Sequence, residues 1–207
     1  MQFNRKVFFT DWSARTNLSL TPERQAAVTA LLDLIEADPG FAQIREIAYF
    51  LATVRWESNH TFAPIKEKRF NSQTRPREWA SQNVYWQTGF YGRGLVQITW
   101  EVNYRKASKK LAGMQFKLNS GSQLTLTADS LVQQPDLTME LSIAYAIGAR
   151  GMREGWFTGK KLSDYIKPSE APDYAGARRI INGVDRKDEI AAMAAQFELL
   201  LRAAASA

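Results

Sequence analysis

The chain of 207 residues has no cysteine and a single histidine, His60. The first absence excludes disulfide scaffolds, thiolate metal centres, cysteine nucleophiles and CxxC redox chemistry. The second argues against a histidine-built zinc site, and serine–histidine catalysis would have to run through His60 without a GxSxG elbow. Neither GxxxxGK[ST] nor GxGxxG is spelled out, so no phosphate-cradling loop is expected. Metal and cofactor are expected to be absent. No apolar run approaches the roughly 20 residues of a spanning helix. The start, MQFNRKVFFTDWSAR, breaks off at Asp11 and Arg15 and reads as neither secretory leader nor anchor. With no repeat and no Pro/Gly/Ser-rich linker, the expected organisation is one domain over 1–207, with 1–40 as a helical segment packed on it and no separate module. If this is an enzyme, carboxylate chemistry is what remains.

Lys and Arg number 27 against 21 Asp and Glu, a formal net charge of +6, which favours anionic partners such as nucleic acid, a membrane surface or an acidic wall polymer. Hydrophobic content of 45% and charged content of 23% are those of a soluble globular chain. Thr21-Pro22-Glu23 opens a helix that Pro39-Gly40 has ended, at about Ala37. Ile44, Ile47, Ala48, Leu51 and Val54 recur at helical spacing, predicting a second helix over about 41–58. From Pro64 to Thr88 the period vanishes, and a connection that long is usually functional or disordered. Phe90–Trp100 alternates and reads as a short strand with Gln97 and Thr99 on one face. Helices follow at about 102–111 and 139–152, with a polar excursion at 119–122 between them, and a last helix at 187–204 carries an apolar stripe of Ile190, Met193, Ala194, Phe197 and Leu201. The fold class expected is mainly α with at most a small β element.

Glu57 stands three residues after Val54 and seven after Phe50, at the edge of that core-facing stripe. A partly desolvated carboxyl there has a raised pKa, as a general acid near neutrality requires; the alternative is a frayed helix end with Glu57 in water. Glu67 lies among Lys66, Lys68 and Arg69, cations that favour its ionised form, or it is an ordinary member of a solvated charge cluster. One neutral and one charged carboxyl is how two like side chains divide acid and base roles. In Tyr91-Gly92-Arg93-Gly94-Leu95-Val96-Gln97-Ile98-Thr99-Trp100 the glycines permit a sharp turn or close approach, and Gln97 with Thr99 can orient a sugar and a water; the alternative is an ordinary edge strand. Trp79, Tyr85 and Trp86 are candidates for stacking on sugar faces or for packing.

The stretches FLATVRWES at 50–58, Glu67, FYGRGLVQITWEVNY at 90–104, QQPDL at 133–137 and RIINGVD at 179–185 together resemble glycoside hydrolase family 19, which comprises chitinases, phage endolysins and related bacterial cell-wall hydrolases. They stand in the family's order and span roughly 41–201. The resemblance implies a lysozyme-like, two-lobed helical fold with a substrate cleft and an inverting mechanism. It makes Glu57 the general acid, Glu67 the general base and Thr99 a holder of the attacking water, with Tyr91, Trp86, Gln97, Asn103 and Asn182 binding sugar. Two departures stand out. Trp56 occupies the position before the acid where many members carry His, and Val184-Asp185-Arg186 follows Asn182-Gly183 directly, leaving Arg186 nearest the family's downstream arginine.

Between the family's substrates, net positive charge favours peptidoglycan over neutral chitin. The expected function is an endolysin-type peptidoglycan hydrolase cutting β-1,4 bonds between N-acetylmuramic acid and N-acetylglucosamine. The alternatives are a chitinase and a non-catalytic wall-binding relative. A monomer is expected, made in the host cytoplasm without a signal peptide, reaching the wall after holin-type release and inserting stably in no membrane. A nucleic-acid binder rests only on basic residues such as Arg105, Lys106, Lys109 and Lys110, with no known motif, so no nucleic-acid partner is expected.

Overall fold

The structure is a computed structural model and describes residues 1–205. It is mainly helical with a small β element, as the sequence predicts. The helices are α1 (Arg5–Thr10), α2 (Trp12–Thr16), α3 (Pro22–Ala37), α4 (Ile44–Glu57), α5 (Pro76–Trp86), α6 (Glu101–Leu111), α7 (Ser130–Gln133), α8 (Leu141–Glu154) and α9 (Lys187–Ala204). Strands β1 (Ile65–Lys66) and β2 (Arg93–Gly94) pair antiparallel, as do β3 (Gln115–Lys117) and β4 (Gln123–Thr125). Two compact units result, Met1–Phe62 with Gly148–Ala207, and Ala63–Ile147.

In the first unit α4 is the central element, buried from Glu46 to Arg55 and packed along α9. It starts at Ile44, not near Phe41, because Glu46 turns back to accept from the backbone N–H groups of Ala42 and Gln43, which closes the first turn. Thr21 caps α3 and Pro22 occupies its first turn, as predicted. At the N-terminus, Phe8 and Trp12 meet Phe62 and Phe197 in a fully buried aromatic cluster, with Trp12 centred 5.6 Å from Phe62 and 5.8 Å from Phe197. The Asn4 N–H donates to the carbonyl of Ala204, tying this end of the chain to the end of α9.

The second unit corrects two sequence readings. The span 64–88 is not structureless, since it holds β1 and the three turns of α5. Only Gln82 of α5 is buried, so the helix has no apolar stripe for periodicity to reveal. Phe90–Trp100 is not a continuous strand. Arg93 and Ile98 exchange backbone hydrogen bonds, so the chain reverses over Gly94–Gln97, and Gln97 sits at φ +52°. Gln97 and Thr99 therefore do not share a strand face. The polar excursion at 119–122 proves to be the turn between β3 and β4.

Arg93 organises this unit. Its buried guanidinium donates to Asp136, to the carbonyls of Gly89 and Tyr91, and to the hydroxyl of Tyr104, so the charge is paired and every bond is charge-assisted. Asp136, in QQPDL, also accepts from Lys66 at 2.7 Å. The hydrogen bond from Lys66 is the largest influence holding the Asp136 carboxyl below its ordinary range, against its partial burial and with help from Arg93.

Trp12→Ala is expected to lower the unfolding free energy by about 3–5 kcal/mol in urea titration, the cost of emptying a large aromatic site. Trp12→Phe should cost well under half of that. It fills most of the volume and removes an indole N–H that is buried without a partner.

Candidate functional site

The last turn of α4 places Glu57 just where the buried helix ends, with its side chain 15% exposed. Arg178, buried in the 3₁₀ turn Gly176–Ile180, donates to Glu57 Oε1 at 2.6 Å through Nη1 and to the carbonyl of Asp185 at 3.0 Å through Nε. Two effects oppose each other at the carboxyl: burial disfavours its charged form, while Arg178 favours it. Burial wins, and the Glu57 pKa lies above the ordinary carboxylate range. The frayed, solvated alternative is thus not what the helix end shows.

Immediately after Glu57 the backbone is strained, with Asn59, His60 and Phe62 all at positive φ, a costly run for residues with a Cβ. The His60 ring lies edge-on to Trp56, and its Nδ1 accepts from Arg55 Nε at 3.2 Å. Burial, then Arg55 and Arg24, push the imidazole pKa down. His60 is engaged with Arg55, not with Glu57. Asn182 is exposed; its Oδ1 caps the N–H of Gly183, and its own N–H donates to the carbonyl of Arg178. Arg186, the nearest sequence candidate for a family arginine, pairs with Glu189 and lies over the Trp56 ring. The cation on Glu57 is instead Arg178, one residue before the RIINGVD stretch. The signal that would have found it is an arginine among apolar neighbours in GARRII, since a buried arginine needs an acid.

In the other unit Glu67 is held by three uncharged donors. Gln82 Nε2 and the Tyr85 hydroxyl both reach Oε1 at 2.7 Å, and the Gly92 N–H reaches Oε2 at 3.0 Å. The neighbouring cations go elsewhere, Lys66 to Asp136 and Arg69 to Asn83. Burial, with the hydrogen bond to Glu67 next, pushes the Tyr85 hydroxyl pKa up, so Tyr85 stays a donor across neutral pH. Glu67 Oε2, with one protein donor, keeps capacity to accept from a water.

Gln97 and Thr99 belong to the same unit as Glu67. The Gln97 amide nitrogen spends both hydrogens on the carbonyls of Ile65 and Gly94, so only its oxygen is open to a ligand. Thr99 Oγ1 donates to the Gln97 carbonyl and retains lone pairs that can accept from a water. Asn103 donates to the Thr99 carbonyl at 2.8 Å, fixing the entry into α6. Tyr91 and Trp86 are stacked, with centroids 4.4 Å apart and planes at 14°. Arg93 lies 3.8 Å over Tyr91 and Arg69 4.9 Å over Trp86. Each ring is thus engaged by the other and by a guanidinium, so the pair is held in place and is not freely open for stacking on a sugar face. Trp100, which the sequence reading passed over, is 44% exposed and sits at φ +73°. Among the described residues no group of His, Asp and Glu is placed to hold a metal ion, and no helix is long and apolar enough to cross a membrane.

No family model matches the chain, and no curated protein and no solved structure matches it. The chemical reading therefore rests on the residues: a largely buried carboxyl with a raised pKa on an arginine, and a second carboxyl oriented by three neutral donors.

Two outcomes are expected. Arg178→Met removes the influence that lowers the Glu57 pKa, so the carboxyl should titrate at still higher pH, read by carbon-13 NMR of the Glu57 carboxyl. Gly92→Ala places a methyl 2.8 Å from the Gln97 amide oxygen and 3.2 Å from Glu67 Oε2, closer than ordinary packing permits. It should displace the Glu67 carboxyl, seen as a changed Tyr85 hydroxyl resonance, while lowering the melting temperature by only a few degrees, about 1 kcal/mol.

Proposed function

We propose that the chain is a glycoside hydrolase of the family 19 type, in its endolysin branch, which cleaves β-1,4 bonds between N-acetylmuramic acid and N-acetylglucosamine in peptidoglycan with inversion. The observation that carries this reading is the unequal treatment of two glutamates: Glu57 buried with its pKa raised, Glu67 held by three uncharged donors with lone-pair capacity left on Oε2. In the proposed reaction Glu67 accepts a proton from a water that Thr99 Oγ1 helps to hold, and the water oxygen forms the new bond to the anomeric carbon. Glu57 donates its proton to the glycosidic oxygen as the old bond breaks. Release of the Glu67 proton and reprotonation of Glu57 restore the enzyme. A raised Glu57 pKa keeps the acid loaded to higher pH, so its deprotonation sets the alkaline limb of the rate profile. Positive net charge supports peptidoglycan over chitin as the substrate. The site of action follows from that substrate, the bacterial wall after release from the cytoplasm.

The test incubates wild type, Glu57→Gln and Glu67→Gln with purified peptidoglycan and with colloidal chitin, identifying released reducing ends by mass spectrometry and the first-formed anomer by NMR. Muropeptides with an α-configured new end from wild type are expected, with each variant slower by at least about 100-fold at unchanged melting temperature. Chitin oligomers alone would move the protein to the chitinases, and Glu57→Gln cutting as fast as wild type would remove Glu57 as the acid.

A further inference from the structure

The solvent face of α6 has no part in that mechanism. Val102, Arg105, Lys106, Lys109 and Lys110 recur at three- and four-residue spacing and form one stripe about 12 Å long. The opposite face, Tyr104, Ala107, Ser108 and Leu111, is buried, and Ser108 locks it by donating to the Thr127 carbonyl and accepting from the Leu131 N–H. The cationic face therefore points to water by construction. Arg105 shares its charge with Glu101 and Asp129, and Lys109 and Lys110, both exposed, set the sign of the far end of the stripe. At its head stands Trp100 with its unfavourable backbone, and beside it Val102 is 67% exposed.

Two shallow depressions join along this stripe. Thr88, Trp100, Glu101, Val102 and Arg105 line the first, and the second continues over Val102 and Arg105 to Lys106, Lys109 and Lys110. The head of the groove leads toward Glu67, because Trp100 packs edge-on at 5.2 Å against Tyr85, which donates to Glu67.

We propose that this groove binds an anionic glycopeptide strand, with a sugar ring on Trp100 and stem-peptide carboxylates on Lys109 and Lys110. An aromatic at one end and cations at the other suit a ligand whose stacking ring and charges are separated along its length. Single-stranded nucleic acid asks for aromatics and cations interleaved at every nucleotide. The inference rests on the peptidoglycan reading and extends it, since the groove would distinguish peptide-bearing glycan from chitin before any bond is cut.

The test measures binding, using the full chain as Glu57→Gln so that cleavage does not intervene. The ligands are insoluble peptidoglycan, the same glycan stripped of peptides by an amidase, chitin, and a single-stranded oligonucleotide. Adding Lys109→Glu with Lys110→Glu should weaken binding to intact peptidoglycan on the order of tenfold and flatten its salt dependence, with a smaller loss on stripped glycan, which keeps only the lactyl carboxylates that the amidase frees. Adding Trp100→Ala should weaken binding to both glycans. Melting temperatures confirm folding, and the two lysines are exposed enough for the charge-reversed protein to fold whatever becomes of the Trp100 variant. Unchanged binding to intact peptidoglycan by the lysine variant overturns the proposal, as does tighter binding of the oligonucleotide than of peptidoglycan. Wild type that cuts peptidoglycan while the lysine variant binds as before would sink the groove alone. Wild type that binds through the lysines without cutting would sink the hydrolase reading alone.

Discussion

The burial of α4 on every side is the constraint from which the first unit follows. A helix with no solvent-facing stripe from Glu46 to Arg55 cannot place a polar side chain in water until it ends, and Glu57 is at that end. Its carboxyl inherits a low-dielectric setting without any special device. A lone charge there would be expensive, and Arg178, itself buried, is the partner that makes the ionised form tolerable. Desolvation still outweighs the arginine, which is the balance a proton donor needs: strong enough to keep the proton, close enough to a cation to release it. The left-handed turn at Asn59, His60 and Phe62 belongs to the same constraint. The chain must leave the helix end sharply for Phe62 to join Trp12 and Phe197, so strain next to the carboxyl is offset by aromatic burial.

The second unit solves the problem of position with few apolar residues. Gln82 is the one buried residue of α5, and it holds Glu67, the carbonyl of Lys68 and the N–H of Phe70 together. Arg69 between Trp79 and Trp86, and Arg93 against Tyr91, replace oil-like packing with planar stacking. Cation–π contacts of this sort contribute about 0.5–2 kcal/mol each, and unlike aliphatic packing they set orientation as well as distance. Glu67 is oriented by groups that are themselves held on more than one side.

Much of the fold was legible in the sequence wherever burial produced a period. The spans of α3 and α9 follow from their caps and apolar stripes, and α4, α6 and α8 differ from expectation only at their ends. What escaped had another cause. Helix α5 escaped because amide and cation–π contacts carry no hydrophobic period, and the Phe90–Trp100 alternation misled because a four-residue reversal also alternates apolar and polar residues. At the site, the setting of Glu57 could be read from spacing. Its partner could not, since Arg178 lies 121 residues away and a long-range ion pair leaves no local pattern. The lysines flanking Glu67 misdirected attention, because adjacency in sequence sent them to Asp136 and to solvent, while Gln82 and Tyr85 came back from the following helix.

The residues on either side of the Glu57 ion pair share one physical logic. Trp56 precedes Glu57 and supplies no charge, so the cation on the carboxyl comes from Arg178. The loop after Asn182 is short, yet the Asp185 carbonyl within it accepts from Arg178 Nε, while Arg178 accepts in turn from the Asn182 N–H. The short loop thus braces the arginine that touches Glu57, and the stretch RIINGVD acts on the carboxyl through backbone atoms. A loop this short need not bring a cation of its own to the carboxyl: by fixing the direction of an arginine that precedes it, it sets how strongly Arg178 offsets the burial of Glu57.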